Sequence, residues 1–289
     1  MFRKLALGGG GVRAGLHVGA LKALEAQQGH LQFPGGLWGC SAGAVLATAV
    51  AFNLTASQIE TMYRTYLKMD TILPAPRLQS LADLFTKKGM FTMDAYEQAI
   101  LTAFDAQGID LRDKCIADAP QPLHIVASNL TLQSPVVLTK QVRILDAIRC
   151  SSCLPFVFQP QVLYSNVYLD GGVFVDCLDS LVDHDCLVLH ISQPAQSLYP
   201  SELESLSLND YLYRVYRSIR TRTTASNVLW LQNGTIGLLT DITEEEKTQL
   251  ITEGHTQALT FLTKRLAKER KDVSGSSLPA VVGEGRTGL

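Results

Sequence analysis

The chain has 289 residues, 46% of them hydrophobic and 18% charged, with a formal net charge of −2. That is ordinary globular composition with apolar mass for one large core, and it lacks the basic field that holds a polyanion by counterion release, so no nucleic-acid partner is expected. The opening M-F-R-K-L-A-L is too short for a signal peptide and the longest apolar run, residues 42–54, is too short to cross a bilayer, so the expectation is a soluble, cytoplasmic protein with at most transient, peripheral contact at a membrane surface.

Residues 4–8, K-L-A-L-G, predict a short buried strand, and the glycines Gly8 to Gly11 follow it. The next stretch predicts a helix, with Leu16, Ala20, Leu21 and Leu24 at helical spacing. A glycine run between strand and helix brings backbone N–H groups close to a ligand, at a helix end whose dipole favours negative charge. Two uses fit. One is phosphate binding, since Gly9, Gly11 and Ala14 satisfy G-x-G-x-x-[GA], although no acidic residue ends the second predicted strand and no G-K-[ST] follows. The other is an oxyanion hole. Arg13 follows the glycines, either steadying the loop or meeting a lipid phosphate, or else facing solvent in the first helical turn. His17, one turn into the helix, reads as a packing residue.

A second strand–turn–helix unit follows, with a strand at 36–40 and a helix beginning at Ala42. Two such units within about 50 residues are an α/β signature with parallel strands. Between strand and helix stands G-C-S-A-G, which matches the G-x-S-x-G nucleophile elbow in the context the motif needs. Gly39 and Gly43 relieve crowding around the turn, and the Ala42 N–H points the same way as the Ser41 hydroxyl. The competing reading is a helix N-cap serine; the glycine loop beside it favours the nucleophile.

Residues 69–93 mix Met, Leu and Phe with Pro and Lys, and predict either a surface helix packed on the domain or an interfacial cap opening onto membranes. Strands are expected at 123–128 and 135–138, a helix at 142–149, and a fully apolar strand at 186–190. Of the six cysteines only Cys150 and Cys153 have C-x-x-C spacing, with no second pair to complete a zinc set, so buried reduced thiols and no metal are expected, with a redox pair as the lesser reading. Two groups stand out as the base that Ser41 would need: His190, at the end of the apolar strand, and Asp170, in V-Y-L-D-G-G-V-F, where two glycines imply a tight turn presenting the carboxylate. Helices are predicted at 206–222, with its Tyr/Arg run, and at 244–270, where Thr243 and Glu246 form a capping box. One domain over 1–270 and a disordered tail over 271–289 are expected.

These residues together resemble the patatin-like phospholipases. That family carries a G-G-G-x-[KR]-G loop, a G-x-S-x-G elbow and a D-G-[GA] turn, and all three occur here in order: Gly9, Gly10, Gly11, Val12, Arg13 and Ala14; Gly39 to Gly43; and Asp170, Gly171 and Gly172. The resemblance covers roughly residues 3–265 and includes A-I-R-C-S-S-C-L-P-F-V-F-Q-P and L-A-D-L-F-T-K-K-G-M-F. It implies a three-layer α/β/α sandwich with a mostly parallel central sheet and a Ser–Asp dyad without histidine. Ser41 would attack an ester carbonyl, Asp170 would activate it, and the N–H groups of Gly9, Gly10, Gly11 and Ala42 would hold the oxyanion. Phospholipid or glycerolipid acyl esters are the implied substrates, with neutral lipids or lysophospholipids as the alternative on the same fold, and no cofactor is implied. The residues also leave open a phosphate- or nucleotide-binding module using the glycine loop. Ala14 departs from the family's closing glycine, and V-F-V-D-C-L after D-G-G departs from its Asn-Asn-Pro, placing Asp176 where it would add negative charge near Asp170. An aspartate working as a base near neutral pH needs partial burial, so Asp170 is expected in a largely apolar pocket.

Overall fold

The computed structural model describes residues 2–66, 68–192, 199–206, 211, 214–215, 225–234 and 236–275. In chain order the elements are β1 Lys4–Leu7, α1 Gly15–Gln28, β2 Gly36–Cys40, α2 Ala42–Ala51, α3 Ala56–Tyr66, α4 Met69–Ile72, α5 Leu78–Thr86, β3 Gly89–Phe91, α6 Asp94–Asp105, β4 Leu123–Asn129 and β5 Ser134–Leu138. There follow α7 Ile144–Ser152, β6 Phe156–Phe158, β7 Gln161–Leu163, β8 Asn166–Leu169, β9 Cys186–Ser192, β10 Val228–Gln232 and a final helix α8, Glu244–Gly275.

Eight strands form the central sheet in the order β10-β9-β1-β2-β4-β8-β7, with β5 also on β4; β3 and β6 make a separate parallel pair. The run from β10 to β4 is parallel, and β5, β7 and β8 close it antiparallel. This is the α/β architecture with a mostly parallel central sheet that the resemblance implies.

The strand sequences are apolar without alternation because both faces are covered. Leu5, Leu7, Leu37, Ile125, Leu187, Leu189 and Leu231 turn to one side, into the core shared with α1, α2, α7 and α8. Ala6, Cys40, Val126, Cys186 and Val188 turn to the other, where Val175, Cys177 and Leu178 cover them among the described residues. Helix α8 lies on α1 at a glycine crossing: a side chain at Gly254 would run into the Leu16 carbonyl, and one at Gly19 into the Ile251 carbonyl.

The capping box at the start of α8 is formed, with the Thr243 N–H donating to Glu246 Oε2 at 2.8 Å and the Glu246 N–H to Thr243 Oγ1 at 3.2 Å. The helix continues to Gly275, taking in the first five residues of the tail expected over 271–289, and 276–289 lie outside the described residues. So does most of the Tyr/Arg helix expected over 206–222. No helix among the described residues is long and apolar enough to cross a membrane.

Candidate active site

The pairing along one edge of β4 sets up the site. β2 runs parallel to β4 and ends with Cys40 opposite Val126. β8 runs antiparallel on the same side of β4 and ends with Leu169 opposite Ser128, while β5 occupies the other side. The two strands therefore approach head-on, and the next residue of each, Ser41 and Asp170, arrives at the level of Ala127.

Both chains must turn sharply there. Ser41 has φ 55° and ψ −129°, a strained conformation for a residue with a Cβ, and α2 starts immediately after it. The turn needs Gly43, because a side chain there would run into the Leu7 carbonyl. The Ser41 N–H donates to Ser151 Oγ at 2.8 Å, and that hydroxyl donates to the Val126 carbonyl at 2.6 Å, so a serine of α7 pins the bend to the sheet. On the other arm, the Asp170 N–H donates to the Cys153 carbonyl at 3.0 Å, and Asp170 caps a 3-10 turn, Gly171–Val173.

The side chains meet. Ser41 Oγ donates to Asp170 Oδ2 at 2.6 Å, and the Gly172 N–H donates to Oδ1 at 2.8 Å, which fixes the plane of the carboxylate. Asp170 is only 5% exposed. The burial expected of it is found, and the cavity around it is walled mainly by Val45, Met69, Ile72, Leu154, Phe158 and Leu239. Tyr96 lines the same cavity; burial first, and then the negative charge of Asp170, push its phenol up to about 12. Asp176 lines it too, as the departure from the family pattern suggested.

Gly9 packs directly on the nucleophile, since a Cβ built there would lie 3.2 Å from Ser41 Cβ. Among the described residues, no group accepts a hydrogen bond from the N–H of Gly9, Gly10, Gly11 or Ala42. Gly9, Gly10, Gly11 and Ala42 all line the cavity of about 220 Å³ that contains Ser41 and Asp170. Gly11 has φ 53°, and a side chain on it would strike the Leu238 carbonyl. Gly39 sits beneath the elbow, where a Cβ would come within 2.7 Å of the Gly43 carbonyl oxygen.

The loop is tied at both ends. His17 is wholly buried with Nε2 2.9 Å from the Gly8 carbonyl oxygen; a carbonyl only accepts, so this nitrogen carries the proton. Desolvation lowers the His17 pKa to about 4, against the opposing Gly8 bond and with a smaller push from His190. Tyr63 OH donates to the Val12 carbonyl at 2.7 Å. Neither Tyr63 nor Ser151 was marked as functional by the sequence: each acts on backbone far away in the chain, and no local motif records that.

The other candidates fall as follows. Ser41 Oγ donates to Asp170, while His190 lines the cavity from β9 with its ring edge-on to Trp230 at 4.8 Å. Arg13 is fully buried and absent from the cavity lining, so neither a solvent-facing role nor contact with a lipid phosphate in the cavity fits its position. Cys150 and Cys153 are buried free thiols, and burial pushes Cys150 up to about 12 and Cys153 upward as well, which suits the reduced-thiol reading. Among the described residues no group of three His, Cys, Asp or Glu could hold a metal ion.

Comparison with known proteins adds to this geometry. A family model described as patatin-like phospholipase matches residues 5–177, which include the glycine loop, the elbow and the D-G-G turn. The uncharacterized protein R571 of Acanthamoeba polyphaga mimivirus is 28% identical over 187 residues, or 63% of this chain, and the match spans 62% of that curated relative. Among solved structures, VipD from Legionella pneumophila aligns with a TM-score of 0.56 at 12% identity, covering 91% of this chain and 67% of that one, a likeness of fold alone. The heterodimeric ExoU–SpcU complex of Pseudomonas aeruginosa aligns with a TM-score of 0.46 at 17% identity, covering 92% and 52%.

Proposed function

The chain belongs to the patatin-like phospholipase family, a family of lipid-ester hydrolases, and we propose that it is a serine acyl hydrolase in which Ser41 and Asp170 form the catalytic dyad. The observation that carries this reading is the 2.6 Å hydrogen bond from Ser41 Oγ to a buried carboxylate.

In this mechanism Ser41 Oγ attacks the acyl carbonyl of a phospholipid or glycerolipid ester while its proton passes to Asp170 Oδ2. The carbonyl π-electrons move to oxygen, and the N–H groups of the glycine loop and of Ala42 stabilise that oxyanion. Collapse of the tetrahedral species breaks the ester C–O bond, and the proton on Asp170 leaves with the alcohol. Water then attacks the acyl-serine, giving its proton to Asp170, and the fatty acid departs as Ser41 recovers a proton. The Gly172 N–H holds the carboxylate in register throughout, and the bend at Ser41 together with its bond to Asp170 presents Oγ to the carbonyl.

The apolar walls suit an acyl chain. Among the described residues the cavity lining contains Asp170 and Asp176 but no Lys or Arg, so a headgroup phosphate finds no cation there. That distribution works against a nucleotide-binding use of the glycine loop. It also favours a second reading beside the phospholipid one, in which neutral glycerolipids, which carry no phosphate, are cleaved as well. Two measurements test the proposal. A fluorophosphonate probe should label the wild type and not Ser41→Ala, and profiling hydrolysis across phospholipids, lysophospholipids and neutral glycerides should give release of fatty acid in at least one class. Equal labelling of both proteins, or no acyl release from any class, sinks the reading.

A further inference from the structure

Helix α5 wears its apolar side outward. Leu78, Leu81 and Phe85 fall at helical spacing and are 87%, 49% and 75% exposed, and none of the helix's nine residues is buried. An amphipathic helix ordinarily turns such a stripe inward. Ser80, Asp83 and Leu84 are its half-buried residues.

The strand that follows α5 pairs with the strand that carries one wall of the active-site cavity. β3 begins three residues after α5, and its Gly89 pairs with Phe156. Phe156 both lines the cavity and is 49% exposed. Its φ of 70° is unfavourable for an aromatic residue, so the fold spends strain to hold a phenyl ring at that wall.

Charge flanks the stripe. Arg77 stands at its N-terminal end and Lys87 and Lys88 at its C-terminal end, all exposed, against a single carboxylate, Asp83, which is taken up by Gln79 and Lys87. The segment is thus locally cationic in a chain whose net charge is −2. Cations at both ends argue against a second copy as the occupant: parallel or antiparallel, two such helices would bring like charges together.

We propose that α5 and Phe156 form a docking surface for an anionic lipid bilayer, with Leu78, Leu81 and Phe85 entering the acyl boundary and Arg77, Lys87 and Lys88 meeting the headgroups. The inference rests on the lipid-ester reading of Ser41, and it explains how an insoluble substrate reaches a cavity that Phe156 also lines.

The test uses the full chain in a Ser41→Ala background, so that partition is measured without turnover. Sedimentation with phosphatidylcholine vesicles, with and without phosphatidylserine, should show stronger binding to the anionic set. Leu81→Glu/Phe85→Glu should weaken partition to either vesicle at least about tenfold, with an unchanged circular dichroism spectrum, since these side chains support no core. Lys87→Gln/Lys88→Gln should lower binding to the anionic vesicles alone, by about fivefold per charge removed. Phe85→Trp should blue-shift its emission when vesicles are added. Undiminished binding by the double glutamate variant, or an unshifted tryptophan, overturns the proposal. So does conversion of a dimer to a monomer by the same glutamates, which would make a second copy the occupant. A chain that hydrolyses lipid esters yet partitions independently of α5 overturns this inference alone; one that hydrolyses nothing yet partitions through α5 overturns the function and leaves the surface standing.

Discussion

Ser41 pairs a backbone held in an unfavourable region with a hydroxyl delivered to a carboxylate 129 positions away in the chain. If Asp170 is the base, Asp170→Asn keeps the shape and removes proton acceptance, so kcat should fall about 10²–10⁴-fold. His190→Ala should stay within about tenfold of wild type. Steady-state kinetics on one ester substrate decides between them, and the reverse pattern would hand the role to His190. His17 gives a second prediction at this scale. Its folded pKa, about 4, lies below the ordinary value of 6.5, so between those values the unfolded chain binds the extra proton. Stability from this group is therefore full above pH ~6.5 and is lost as pH falls toward ~4, by on the order of 2–3 kcal/mol. Thermal unfolding over that range should show a steeper decline for wild type than for His17→Gln, whose amide can still donate to Gly8 without titrating.

At the scale of elements, the glycine loop depends on ties that come from other helices. Tyr63 belongs to α3, and its hydroxyl satisfies the Val12 carbonyl inside the protein. Tyr63→Phe leaves that carbonyl unpaired, at a cost of about 1–3 kcal/mol in urea unfolding. It should also lower kcat more than it changes KM, because the loosened donors matter most when the oxyanion forms. A loss of stability with kcat untouched would show that Tyr63 supports the fold and not the site. The two strand–turn–helix units were legible because each carries its own local signals: an apolar run, glycines at the bend, then helical spacing. The α8 start was legible for the same reason, through Thr243 and Glu246. The head-on approach of β2 and β8 was not, since it is a matter of which edge of β4 each strand occupies, and short strands such as Asn166–Leu169 carry no register in their own residues. The apolar stripe of α5 was legible as a stripe, but the sequence left two readings of residues 69–93, a helix packed on the domain or an interfacial cap, because helical spacing marks an apolar face without saying where it points.

For the molecule as a whole, the matched family segment and the folding unit have different extents. The match ends at residue 177, yet β9 begins at Cys186 and pairs with β1 from Lys4 to Leu7 in the middle of the sheet. All seven residues of β9 are buried, and β10 continues the sheet beyond it. Farther along, α8 covers α1 at the Gly19–Gly254 crossing, over the same helix that carries His17. A fragment ending at residue 182 would keep Ser41, Asp170, the glycine loop, the elbow and the D-G-G turn, and would still expose one edge of β1 and the outer face of α1. Unpaired backbone along a central strand and an uncovered apolar helix are both costly in water. We therefore expect residues 1–182 to be insoluble or to lack a cooperative unfolding transition, whereas residues 1–275 should unfold in a single step by circular dichroism and label with the fluorophosphonate probe. A fragment of 1–182 that is soluble, cooperative and labelled would mean that the sheet from β1 to β8 stands alone, and that β9, β10 and α8 are additions to a catalytic unit already complete.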